Sequence, residues 1–365
     1  MEFLRPDYTR CGLNLIASIA GHLGLPLGHR TLPLVDALLS TREYQNIVLM
    51  LFDGMGMELL ERALPPNAFL RRHVAQTLSA VYPSTTTCAT STIECGRSPR
   101  EHAWLGWTLY FPQIQKPVDV FLNRSNGEPA AEYNVASRFI PREMIFPRIT
   151  AAGRATASCV SPFGDIAVHT LDALFDAVLA LCRDEKRRYI YTYWAEPDHT
   201  MHDEGCHTEH THAIVRGLNA RVEALAAALP VSSLLLLTAD HGLIDGKFLY
   251  LEDHPSLRAM LRHDPTMESR AVSFHVKHEF LPAFPNAFYS AFGDRFLLIP
   301  GEEFIRDYLG DGKIHPAVFD FVGDYMALSV GPYCLDSRRD GHCLVGVHAG
   351  LTPSEMLVPL IVAKK

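Results

Sequence analysis

Five short apolar runs punctuate the chain: Asn46 to Phe52, Ala155 to Val160, Arg188 to Trp194, Ser233 to Ala239 and Leu344 to Val347. Each is β-branched or leucine-rich and bounded by polar residues or glycine, the pattern of parallel strands buried on both faces. Between them the period changes. Thr170 to Arg183 carries Leu171, Leu174, Phe175, Val178 and Leu181 at helical spacing, and His207 to Leu229 carries Ile214, Leu218, Val222 and Leu225 in the same way. Alternating strands and helices predict an α/β sheet covered on both faces. In such sheets the ligand site lies beyond the carboxyl ends of the strands.

Two stretches break the alternation. From about Gly246 to Arg339 the pattern predicts a strand at Arg270 to Val276, a helix near Glu279 to Ala291 and a strand near Arg295 to Ile299, followed by a Pro- and Gly-rich path. This reads as an α+β subdomain, residues 246–339, inserted into a core formed by 1–245 and 340–365. After it, Cys343 to His348 is expected to return to the main sheet. The second irregular stretch, Tyr110 to Pro147, holds five prolines and reads as a lid or a long surface excursion.

Composition narrows the function classes. With 365 residues, 48% hydrophobic and 20% charged, the chain fits a globular protein rather than a disordered one. A formal charge of -8 argues against a nucleic-acid duplex or an anionic membrane as the main partner. A phosphate-bearing substrate would therefore need local attraction, which bound metal supplies. Eight cysteines without a C-x-x-C pair point to a reducing compartment rather than a disulfide framework. No signal-peptide pattern opens the chain, and no apolar run approaches the ~18–20 residues of a membrane span. A cytoplasmic location is expected, with a homo-oligomer left open.

The polar residues at the strand ends carry the chemistry. Asp53 follows the run ending at Phe52 and precedes Gly54, which taken alone fits a plain turn better than a ligand. Pro83 to Thr87 opens a helical run to Gly96; a threonine there caps the helix or serves as a nucleophile. Asp198 and His202 share a face if their segment is one helical turn, and oxygen with imidazole nitrogen suits Zn²⁺ or a similar ion. His199, His207, His210 and His212 lie nearby on mixed faces and fit solvent or supporting roles. Asp240-His241-Gly242 closes the Ser233 to Ala239 strand, and His348 closes another. Each could be a turn or core residue taken singly. Five such sites on successive strand ends are much harder to dismiss.

In this order, Asp-Gly, Thr, Asp-x-x-x-His, Asp-His-Gly and His-x-Gly, the motifs resemble the alkaline phosphatase superfamily, and within it the type I phosphodiesterase / nucleotide pyrophosphatase family. The resemblance covers about Asn46 to Arg97, Tyr189 to Gly242 and Gly341 to Ala363. It implies a three-layer α/β sandwich with a mostly parallel central sheet. It also implies Thr86 as nucleophile, with Thr85 and Thr87 as flanking alternatives, and two divalent ions, commonly both zinc, with manganese as the alternative metal. Asp198, His202 and His348 would hold one ion; Asp53, Asp240, His241 and the Thr86 oxygen would hold the other. The implied reaction is in-line attack by Thr86 on phosphorus and hydrolysis of the resulting phosphothreonine.

Two positions depart from the family pattern. Thr87-Cys88-Ala89 replaces the Phe-Pro-Asn that often follows the nucleophile, and Trp107 stands where an Asn often contacts the phosphoryl group. Trp107 is equally compatible with stacking on a base at the site mouth and with the core. The expected activity is cleavage of phosphodiester or pyrophosphate bonds in small, nucleotide-type substrates. The alternatives are a phosphomonoesterase or phosphonate hydrolase, for which Arg97, Arg100 and Arg124 could supply charge, then a phosphomutase or a non-catalytic metal- or nucleotide-binding module.

Overall fold

The computed structural model describes residues 3–339 and 344–365. The boundary at residue 340 and the start of the expected return at Cys343 lie outside the described residues. A seven-stranded sheet runs in the order Val74–Ser79, Leu357–Lys364, Ser233–Thr238, Asn46–Phe52, Arg188–Trp194, Thr156–Ser161 and Ile166–Ala167. Asn46–Phe52 lies at its centre, parallel to Ser233–Thr238 on one side and Arg188–Trp194 on the other. Both Asn46–Phe52 and Ser233–Thr238 are buried along their whole length, which is why they read as continuous apolar runs.

The amphipathic helices fall where their periodicity places them. Leu171–Cys182 begins at Thr170, whose side chain accepts from the Ala173 amide, and Glu209–Ala228 begins at Thr208, whose side chain accepts from Thr211. The architecture is mixed α/β around a mostly parallel central sheet, as expected.

The return to this sheet differs from the expectation. Leu344 to Val347 is not a main-sheet strand; only Gly346–Val347 is extended, pairing antiparallel with Ile244–Asp245 in a two-stranded ribbon. Val345 is 40% exposed, unlike a central strand residue. The strand that rejoins the sheet is Leu357–Lys364, antiparallel to both of its neighbours.

The two irregular stretches meet in one structure. An antiparallel eight-stranded sheet runs in the order Phe296–Pro300, Tyr325–Ser329, Ala271–Phe274, Thr266–Met267, Thr108–Phe111, Lys116–Asp119, Arg124–Ser125 and Glu128–Pro129. Residues 108–129 and 266–329 are joined through a single pairing, Met267 with Thr108. Phe274, Phe284, Phe288, Phe292 and Phe296 form a separate small core beneath the later strands.

Candidate active site

The polar strand ends converge on one edge of the main sheet. Asp53 leaves the Asn46–Phe52 strand at Gly54, where φ is +71°. A Cβ on Gly54 would lie 2.6 Å from the Leu243 side chain and 2.9 Å from that of Asp198, so only glycine lets the two loops close. Asp240 leaves the adjacent strand, and its Oδ1 accepts from the amides of Gly54 and His241 at 3.1 and 3.0 Å.

Thr86 opens the helix Thr86–Cys95, and its hydroxyl lies 3.3 Å from both Asp53 oxygens and 3.1 Å from His241 Nε2. The two flanking hydroxyls are placed differently. Thr85 donates to Glu268 Oε1 at 2.7 Å, whereas the Thr87 hydroxyl is buried without a partner among the described residues.

Asp198 opens the helix Asp198–Glu204, and its Oδ2 lies 3.2 Å from His202 Nε2 across one turn. His202 is oriented through Nδ1, 2.8 Å from the Gly346 carbonyl. The His348 ring stacks on that of His241 at 3.9 Å and lies 5.2 Å from that of His202. All seven residues singled out in the sequence, Asp53, Thr86, Asp198, His202, Asp240, His241 and His348, therefore share one site.

Their donor atoms group into two sets that could each hold a cation: Asp53, Asp240 and His241, and Asp198, His241 and His348. His241 belongs to both, a sharing the motif spacing does not reveal. Among the described residues Asp240 Oδ2 and Asp198 Oδ1 are buried with no hydrogen-bond partner, the condition of carboxylate oxygens built to face a cation. Burial first, then Asp240 and Asp198, push the Asp53 carboxyl well above its ordinary value. Burial, then His241 and His202, hold His348 well below the usual imidazole range, so its ring stays neutral and keeps a free lone pair. Burial opposes charge on His202, but the hydrogen bond and charge of Asp198 outweigh it and push that imidazole up to about 9.

Three groups with no assigned role in the sequence complete the site. Tyr193 donates to Asp53 Oδ2 at 2.5 Å from the neighbouring strand end. A polar residue paired next to the Asp53 strand was the available signal. Glu268, half-buried on the antiparallel sheet, accepts from the Thr85 hydroxyl and from the Trp107 amide at 2.7 Å each. Burial first pushes its carboxyl up to about 7, against the pull of these two donors.

Arg270 is the third. Fully buried, it makes a bidentate pair with the fully buried Glu355, both bonds 2.7 Å, and donates to the Tyr333 and Gly331 carbonyls. Glu355 also accepts from the Gly350 amide at 2.7 Å, fixing the turn that follows His348. That turn contains Ala349 at φ 81°, a left-handed conformation unfavourable for alanine and held by its surroundings. No local pattern announces a salt bridge between residues so distant in the chain.

A cavity of about 2000 Å³ opens on Thr86, with Trp107, Phe121, Tyr193, Glu268 and His348 among its walls. Trp107 is 40% exposed and edge-on to Phe121, so it belongs to the cavity rim and not to the core. Arg97 pairs with Glu143, Arg100 donates to the carbonyls of Ile305 and Arg306, and Arg124 lies on an outer strand. None of the three lines the cavity.

The family model described as type I phosphodiesterase / nucleotide pyrophosphatase matches residues 47–283, more than half of the chain. The chain belongs to that family. It is thereby placed among hydrolases of phosphate esters and within the alkaline phosphatase superfamily. No curated protein matches the chain.

Murine ectonucleotide pyrophosphatase / phosphodiesterase 5 is similar over 89% of this chain and 88% of its own, at 15% identity and a TM-score of 0.65. An inactive threonine-to-alanine variant of that murine protein, in complex with AMP, is similar over 88% of each chain, at 15% identity and a TM-score of 0.64. Phosphonoacetate hydrolase from Sinorhizobium meliloti 1021, in complex with phosphonoformate, is similar over 87% of this chain and 89% of its own, at 18% identity and a TM-score of 0.63. At these identities the likeness shows the fold. No helix among the described residues is long and apolar enough to cross a membrane.

Proposed function

We propose that the protein is a two-metal hydrolase that cleaves phosphodiester or pyrophosphate bonds in small nucleotide-type substrates through a phosphothreonine intermediate. The observation that carries this reading is the Thr86 hydroxyl at a helix start, within 3.3 Å of Asp53 and 3.1 Å of His241, beside two Asp and His triads in which Asp240 Oδ2 and Asp198 Oδ1 have no hydrogen-bond partner among the described residues. Asp53, Asp240 and His241 would hold one ion. Asp198, His202 and His348 would hold the other, with His241 at the boundary. Divalent ions there, zinc or manganese, would favour the Thr86 alkoxide and neutralise charge on the phosphoryl oxygens.

The chain's own groups perform the remaining tasks. Thr86 Oγ1 attacks phosphorus in line, the bond to the leaving oxygen breaks, and water later hydrolyses the phosphothreonine. Asp53, both of whose oxygens lie 3.3 Å from the hydroxyl, is placed to take its proton. The Thr86 and Thr87 amides, in the first helical turn, have no intrahelical acceptor and favour an anionic phosphoryl oxygen.

A diester is favoured over a monoester by the charges around Thr86. The Glu268 carboxyl is bonded to the hydroxyl of the adjacent Thr85, and Arg142 and Arg338 are the only Arg or Lys among the described cavity-lining residues. A phosphomonoester dianion would lack the extra cation it needs. The insertion, residues 246–339, serves as a cap in this reading, supported by Thr266 to Ser269 in the cavity wall. The cytoplasmic location is retained on seven described cysteines that are each buried and free.

The test is hydrolysis of an aryl phosphodiester against the matching monoester by zinc-loaded protein, with Thr86→Ala as control. The diester should be preferred, and the variant should retain metal while turnover falls by at least about 10⁴-fold. A monoester preference would replace the substrate class, and full activity of Thr86→Ala would move the nucleophile.

A further inference from the structure

The cavity does not end at Thr86. The helix Thr86–Cys95 runs along its wall, and Thr90 and Glu94, at successive four-residue steps from Thr86, line the same space. At 1.5 Å per residue, Glu94 lies about 12 Å along the axis from Thr86. The Thr90 hydroxyl is used up within the helix, donating to the Thr86 carbonyl at 2.7 Å. Polar recognition along this wall therefore falls to Glu94 and to the residue it meets.

That residue is Arg142. Its Nη1 lies 3.1 Å from Glu94 Oε2 and 3.4 Å from Ser91 Oγ. Its guanidinium lies over the Trp104 ring at 4.4 Å and near that of Phe121 at 5.6 Å. Trp104 is itself buried and anchored, donating from Nε1 to the Ile140 carbonyl at 2.8 Å. One face and one edge of the guanidinium are thus fixed.

The other donors are not used. Among the described residues Arg142 Nε and Nη2 have no hydrogen-bond partner, and neither does Glu94 Oε1, yet none of these atoms is sealed away. Arg142 and Glu94 are 23% and 14% exposed, and both face the cavity. A pair that merely pinned the wall would bring more of its donors to protein acceptors, because arginine presents five in a rigid fork. Here one nitrogen bonds to protein and the rest of the fork is left for an occupant, with Phe121 and Phe146 as apolar walls beside it.

We infer that Glu94 and Arg142 form a distal subsite that reads a planar group carrying a hydrogen-bond acceptor beside a donor, the edge of a pyrimidine or purine base. The inference rests on the proposed position of the phosphoryl group at Thr86 and specifies the far end of the substrate. Arg142 donates through its free nitrogens to a ring carbonyl or ring nitrogen, and Glu94 Oε1 accepts from the adjacent N–H. A nitrophenyl ester offers no such edge. A substrate a few bonds long, the size of phosphonoacetate, ends well short of the pair.

The test compares kcat/KM for the 4-nitrophenyl ester of thymidine 5′-monophosphate with that for bis(4-nitrophenyl) phosphate, using zinc-loaded native protein, Arg142→Ala and Arg142→Lys. The nucleotidyl-to-aryl ratio should fall at least ten-fold in Arg142→Ala. The loss should appear mainly in KM, because a remote group is held alike in ground and transition states. Arg142→Lys keeps a cation for Glu94 but loses the free fork, so it should recover little, and it is the variant to read if Arg142→Ala does not fold.

Calorimetric binding of thymidine 5′-monophosphate is read alongside, independently of turnover, and should weaken at least ten-fold in Arg142→Lys. A ratio and a Kd both within two-fold of native would overturn the subsite. Absence of turnover of both esters by native protein would overturn the proposed function instead, leaving the binding experiment to decide the subsite.

Discussion

The two sheets that enclose the cavity contribute in opposite ways. The parallel sheet delivers Asp53, Tyr193 and Asp240 directly from the ends of adjacent strands, so each sits within a residue or two of a buried apolar run. The antiparallel sheet delivers Glu268 and Arg270 from a strand edge paired to a segment more than a hundred residues earlier. Where a site is built from local strand ends, its residues are marked by the pattern around them. Where it is built from a long-range pairing, they are not.

Breaking the parallel side should cost most. His241 is shared by both donor sets and is fully buried, so His241→Ala removes a candidate donor from each and leaves the Thr86 hydroxyl without one of its neighbours. Turnover of an aryl phosphodiester should fall roughly 10³-fold or more, the scale of losing one group that stabilises transition-state charge. Metal content by mass spectrometry should drop below that of His202→Ala, whose ring belongs to one side of the site. Equal metal content in the two variants would return His241 to a single ion.

Breaking the antiparallel side should first cost stability. Arg270→Met leaves Glu355 buried and unpaired, which costs about 3–5 kcal/mol, whereas Arg270→Met with Glu355→Leu should recover most of it. Urea unfolding of both variants reads this directly. The double variant should still lose activity, because Glu355 no longer holds the Gly350 amide that fixes the turn beside His348. A stable, fully active double variant would show that the turn needs no such anchor.

This asymmetry explains what was legible in the residues. Asn46–Phe52, Arg188–Trp194 and Ser233–Thr238 were visible because strands buried on both faces have no polar alternation to hide them. The four-residue offset of Asp198 and His202 was visible because one helical turn fixes it. His348 does not close a strand of the main sheet, although its apolar run suggests that it does. It follows a two-residue ribbon strand, and Arg270 and Glu355 fix its turn. The partners of Thr85 and Trp107 were invisible because Glu268 reaches them only through the pairing of Met267 with Thr108. Hydrophobic periodicity reports which face is buried, and it carries no information about which distant segment covers that face.

The smallest effect sharpens the comparison, because it concerns Glu268, a titrating group that the antiparallel side bonds to Thr85, next to Thr86. Glu268 has a folded value of about 7 against an ordinary 4.5, raised by burial and only partly offset by the Thr85 hydroxyl and the Trp107 amide. The folded protein therefore holds a proton that the unfolded chain releases between those values. The stabilisation is full below 4.5 and is lost as pH rises through about 7. Glu268→Gln does not titrate and keeps an acceptor for both donors. In metal-free protein its stability relative to native should therefore rise between pH 5 and 8, by at most about 1.4 kcal/mol per pH unit. Urea midpoints across that range measure it. A difference that stays flat would mean that water reaches Glu268, and that the antiparallel sheet covers the site less tightly than its two 2.7 Å bonds imply.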